Sequence, residues 1–126
     1  MSYPKLWKVV ETIKRKTDSG TLRWSQTETS GIFQVAFPSY AVRISKKENN
    51  TSSFSTIVLG RDFHIFSVYN DEGDIVESAT TYELMKINDE APAKMAELYE
   101  TARRQAMGVE DALDSILDDL DDEPPT

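Results

Sequence analysis

The stretch PAKMAELYETARRQAMGVEDALDSILDDL, Pro92 to Leu120, decides how this chain is read. Its apolar positions Met95, Leu98, Ala102, Ala106, Val109, Leu113, Ile116 and Leu120 are separated by steps of 3, 4, 4, 3, 4, 3 and 4. That spacing returns each side chain to one stripe of a helix. Asn88-Asp89 can cap its start, and Glu90 places a carboxylate near the positive end of the helix dipole. Gly108 is the weak point. Inside a helix it costs ~1 kcal/mol relative to alanine, or it can end one helix and begin another. The stripe crosses it without losing step, which favours a continuous or barely bent helix. About 30 helical residues reach roughly 45 Å at 1.5 Å per residue, more than the sheet of so small a chain covers. The end from Val109 onward is therefore expected to overhang or to lie on another surface.

Charge divides the chain in the same place. The formal net charge is −8, and of 22 acidic residues eight lie between Glu110 and Glu123, where there is no base. The rest balances the 14 lysines and arginines. The first sixteen residues lean basic, with Lys5, Lys8, Lys14, Arg15 and Lys16 against Glu11. Carboxylates at a helix C-terminus oppose its dipole, so Asp118, Asp119, Asp121 and Asp122 would fray an isolated helix. A chain of 126 residues sets one domain as the default. The absence of cysteine excludes disulfides, thiolate metal sites and cysteine nucleophiles. The N-terminus does not read as a signal peptide, and no apolar run reaches the roughly 18 residues of a membrane span. The expectation is a cytoplasmic protein with no membrane contact.

Pro4 suits a first helical turn, and Leu6, Val9, Val10 and Ile13 follow at helical spacing with Trp7 flanking the stripe. Asp18-Ser19-Gly20 stops this helix, predicted over Pro4 to Thr17. The middle reads as antiparallel strands. Leu22 and Trp24 alternate with Arg23 and Ser25. Ile32, Phe33, Val35 and Phe37 begin the next strand, and Pro38-Ser39 breaks it into either two short strands or one bent strand. Tyr40, Val42 and Ile44 alternate with Ala41, Arg43 and Ser45, and Phe54 to Leu59 reads as a further strand. Gly60-Arg61-Asp62 turns the chain into Phe63 to Tyr69. Asn70-Asp71-Glu72-Gly73-Asp74 is a hairpin turn, and Ile75 to Ala79 closes the meander. Tyr82 to Met85 allows one helical turn.

No catalytic signature emerges. His64 is the only histidine; with no nucleophile or oxyanion arrangement near it in sequence it reads as structural, and a single histidine cannot build a histidine-rich metal set. The oxygens of Asn70 to Asp74 lack the spacing of a calcium loop. No catalytic residue, metal ligand or cofactor is assigned. Arg23, Arg43 and Arg61 can converge on one sheet face beside Trp24 and Tyr40, where they would bind a small anion or nucleotide. The basic first helix is too isolated, and the acidic end too repulsive, to favour nucleic acid as a partner.

Three segments, Gly20-x-Leu22-x-Trp24, then Phe33-x-x-x-Phe37-x-x-Tyr40-x-Val42-Arg43-Ile44, then Tyr99-x-x-Ala102-Arg103-Arg104-Gln105-Ala106-x-Gly108-Val109, resemble a family of small uncharacterised bacterial proteins. That resemblance implies a helix, an antiparallel meander and C-terminal helices. It implies no activity and no catalytic residues. The expected fold is α+β: an N-terminal helix and the Met95–Ala106 face covering one side of a five- or six-stranded antiparallel sheet, followed by a long or broken C-terminal helix. Residues 1–108 are expected to form the domain, 109–123 an acidic amphipathic extension and 124–126 a disordered tip. The expected function is a non-enzymatic interaction with another protein or with a second copy. It would run through Val109, Leu113, Ile116, Leu117 and Leu120 with Asp118, Asp119, Asp121 and Asp122. Besides the arginine site, a third reading is an acidic inhibitor that imitates nucleic acid toward a basic protein.

Overall fold

The computed structural model describes residues 3–48 and 62–121. Its elements are α1 (Tyr3–Asp18), β1 (Ser25–Gln26), β2 (Ile32–Ala36), β3 (Tyr40–Lys47), β4 (Phe63–Asn70), β5 (Ile75–Thr80), α2 (Thr81–Met85), α3 (Ala91–Ala106) and α4 (Val109–Asp121). The strand expected at Phe54 to Leu59, Arg61, Asp122 and the tip from Pro124 lie outside the described residues.

Among the described residues five strands form one sheet in sequence order, every neighbour antiparallel, as the short β1–β2, β2–β3 and β4–β5 connections favour. Register sets the faces. Phe33 pairs with Ile44 and Ile44 with Phe66, while Val35 pairs with Val42 and Val42 with Val68. These residues share the face that α1 and α3 cover, and the alternate positions Gln34, Arg43, Ser67 and Ser78 line up on the other. Leu6, Trp7, Val10 and Ile13 of α1 meet Met95, Leu98 and Ala102 of α3 over Phe33, Val35, Val42, Ile44, Phe66 and Ala79. One core results. Around α1 the outcome differs from the expected stripe: Trp7 is buried and Val9 lies half-buried at the margin.

Side-chain oxygens close the turns. Asn70 Oδ1 accepts from the amides of Glu72 and Asp74 at 3.0 and 2.9 Å, and Gly73 takes the positive φ the hairpin needs. Thr80 and Glu83 form a reciprocal capping box that starts α2. At α3 the cap differs from expectation: Asn88 Oδ1 accepts from the Glu90 amide at 2.8 Å, and the helix begins with Pro92 in its first turn. The first predicted strand shrinks to Ser25–Gln26. The Trp24 amide donates instead to Gln105 Oε1 at 3.0 Å, and the Trp24 indole donates to Thr17 Oγ1 at 3.0 Å. Gln105 thereby ties the end of α3 to the start of the sheet.

The favoured continuous C-terminal helix is corrected. Gly108 adopts φ +65°, and α3 and α4 are separate helices. Met107 N–H still donates to Arg103 O at 2.9 Å, but Gly108 N–H turns to Gln105 O at 3.2 Å. The next helical bond, Ala112 N–H to Gly108 O at 2.9 Å, belongs to α4. Glycine enters the left-handed region without a steric penalty, and a helix ends readily there. Periodicity carries no information about that one dihedral angle.

Candidate functional site

α4 carries no buried residue. Leu113, Ile116, Leu117 and Leu120 are 48%, 53%, 57% and 58% exposed. In α3, the previous helix of the same apolar repeat, Met95, Leu98 and Ala102 are fully buried. Val109, at the start of α4, is half-buried. Glu110, Asp111, Asp114, Asp118, Asp119 and Asp121 are all exposed. Glu110 pairs with Arg104 at 2.7 Å across the break. The apolar anchors occupy one side of the helix and most of the acids the other, so α4 presents a greasy strip with a carboxylate border. The structure places Leu113, Ile116, Leu117, Leu120, Asp118, Asp119 and Asp121 on this one element.

The arginine set is dispersed. Arg43 lies on the helix-free face of β3, where Nε donates to Gln34 Oε1 at 2.7 Å, a terminal nitrogen meets Glu28 at 3.1 Å, and the guanidinium sits 4.8 Å from the Tyr69 ring centroid. Glu28 is held below the usual carboxylate range by backbone hydrogen bonding and by Arg43. Arg23 lies elsewhere, in a cleft of about 450 Å³ at the junction of α3 and α4 with Arg104, Gln105, Glu110 and Asp111. Arg61 is outside the described residues. Arg23 and Arg43 therefore do not share a site.

His64 is buried against Tyr99, ring centroids 5.2 Å apart, and its backbone N–H and C=O both bond the Thr81 hydroxyl. Burial pushes its pKa below the ordinary histidine value; nearby Lys46 adds to this and Asp62 opposes it. The neutral form is favoured in a packed position, the environment of a structural histidine. Among the described residues no group of three or more histidines, cysteines or carboxylates is placed to hold a metal ion, and no helix is long and apolar enough to cross a membrane.

A second apolar feature was not legible beforehand. A groove of about 530 Å³ runs beside α1, between Val9 and Ile13 on the helix and Phe37, Tyr40, Val42 and Val68 on the sheet. Lys5 and Lys8 stand at its rim. It exists because Phe37 and Tyr40 continue the core-facing alternation of β2 and β3 beyond the point where α1 covers them. The available signal was an excess: Val9, Phe37 and Tyr40 are more apolar side chains than one helix can shelter. No protein-family model matches this chain, no curated protein or solved structure matches it, and the resemblance carried by Gly20, Trp24, Phe33 and the Tyr99–Val109 segment rests on those motifs alone.

Proposed function

We propose that this protein is a non-enzymatic interaction module that docks on another protein surface through α4. Residues 1–108 act as the carrier and 109–123 as the docking extension. The observation behind this is the exposure of Leu113, Ile116, Leu117 and Leu120 together on one side of a 13-residue helix. Contiguous exposed apolar surface of this kind, bordered by charge, marks an interaction site. The recognition mode is helix in groove: residues at i, i+3, i+4 and i+7 enter an apolar channel. The carboxylates beside them select a channel with a basic border and speed encounter with it. An inhibitor imitating nucleic acid would use the same acids, but has no need of the leucines and isoleucine between them. The leucines favour a protein groove.

A photoreactive amino acid at Leu117, introduced into the full chain in cells that make it, tests this. The expected result is a discrete cross-linked protein adduct, reduced at least tenfold when Leu113 and Ile116 are both changed to Asp. Cross-links confined to the same molecule, or none at all, would remove the proposal.

A further inference from the structure

We infer that the partner of α4 is the α1 groove of a second copy of this chain, and that two copies exchange their α4 helices reciprocally. This rests on the reading of α4 as a docking element and adds the identity of the surface it enters.

Complementarity is the first ground. The groove floor is apolar and open, formed by Val9, Phe37 and Tyr40 over buried Ile13 and Val42. Lys5 and Lys8 border it, and Arg15 and Lys16 continue the basic line along the exposed side of α1. Among the described residues none of these four bases forms an ion pair, although Lys14 and Lys94 nearby are both committed to carboxylates. On α4 the situation is mirrored: Asp111, Asp114, Asp118, Asp119 and Asp121 are exposed and form no ion pair among the described residues. Exposed bases beside an open apolar channel, and exposed acids beside an unburied apolar strip, occur in the same polypeptide. The lengths agree as well. Leu113 and Leu120 lie seven positions apart, as do Lys5 and Thr12 along the groove wall, a rise of roughly 10 Å in each case.

α4 does not fill the groove of its own molecule: it buries no residue and adds none to the groove lining. α3 packs on the opposite side of α1, where Lys94 meets Glu11 at 3.1 Å and Lys14 meets Glu97 at 3.1 Å. Gln105 holds the end of α3 beside Thr17, at the C-terminal end of α1. A stiff helix leaving from that point would have to cross over α1 to enter the groove behind it. A second molecule approaches that groove from open solvent. One-way docking would leave a helix and a groove free at each end and grow open chains. Reciprocal exchange closes the assembly as a two-fold dimer.

Sedimentation of the purified full chain tests this, with the cross-link above as its companion. The expected wild-type species is a dimer in the micromolar range, weakened by about 0.5 M salt because the border charges are screened. Lys5→Glu with Lys8→Glu should raise the dimer dissociation constant at least tenfold, and so should Asp114→Lys with Asp118→Lys. Both pairs are exposed, so folding, checked by circular dichroism, should survive. The decisive experiment mixes two monomeric variants, Phe37→Asp and Leu117→Asp. Exchange predicts a mixed dimer, because the intact helix of the first still finds the intact groove of the second. A wild-type monomer at high micromolar concentration would overturn the inference. So would a dimer lost with Leu117→Asp but indifferent to Phe37→Asp and to the lysine changes, which would mean that α4 pairs with α4. In both cases a Leu117 adduct in cells would leave the docking role of α4 standing, whereas its absence would remove that as well.

Discussion

α3 and α4 are consecutive helices drawn from one unbroken apolar repeat, and the molecule treats them in opposite ways. α3 lays Met95, Leu98 and Ala102 on the sheet beside α1. α4 repeats the same spacing three residues later and buries no residue. Spacing states which side chains share a stripe. It does not state whether anything lies opposite that stripe, because cover depends on where the sheet ends and on the direction in which the chain leaves Gly108. An apolar repeat that outlasts its own core is thus a pointer to a second surface.

The sharpest way to break this contrast is to truncate one side chain in each helix. Leu98→Ala should cost about 2–5 kcal/mol of unfolding free energy, because a fully buried leucine leaves a cavity. Leu117→Ala, measured by denaturant unfolding at concentrations where the chain is monomeric, should change it by less than about 0.5 kcal/mol. Equal losses would mean that α4 is part of the core. Gln105→Ala comes next. It removes the acceptor of the Trp24 amide and a donor to Thr17 O, and should cost about 1–3 kcal/mol. Gly108→Ala forces a residue with a Cβ to φ +65°, where no neighbouring atom obstructs it but the backbone itself does, and should cost about 1–2 kcal/mol. Loss of the break, seen as a change in the Arg104–Glu110 contact, is the alternative outcome and would show that the glycine alone separates the helices.

His64 supplies the gentlest test, a slope rather than a step. Its folded-state pKa lies below that of the unfolded chain, so the unfolded state takes up the proton first as pH falls. The contribution of neutral His64 to stability is full above about pH 6.5, the unfolded value. It is lost as pH drops from there toward the folded pKa. His64→Gln should flatten that part of the stability profile. An unchanged profile would show that burial of the ring is not felt.

Much of the fold was legible because it follows from patterns the chain cannot avoid. The helix at Leu6 to Ile13, the alternation at Tyr40 to Ile44 and the Asn70–Asp74 turn each occur as expected. What escaped depended on single groups. The strand at Leu22–Trp24 was shortened by one amide that prefers Gln105, and no periodicity marks a glutamine that will cap a distant backbone. The capping box of Thr80 and Glu83 was written in the sequence as Thr-x-x-Glu and was the most readable of the missed signals. Arg43 shared a residue type with Arg23 but not a neighbourhood, since strand parity sends Arg43 to the face opposite α3. The groove beside α1 belongs to no single element. It appears only when neighbouring strand ends of the sheet and the helix are brought together.

Hydrogen exchange followed residue by residue, at dilution where the chain is monomeric, tests most directly whether α4 lacks cover from its own molecule. The account predicts strong protection for the amides of Met95 to Ala102 and exchange at least a hundredfold faster for those of Leu113 to Leu120. Protection of both helices to the same degree in the monomer would contradict it.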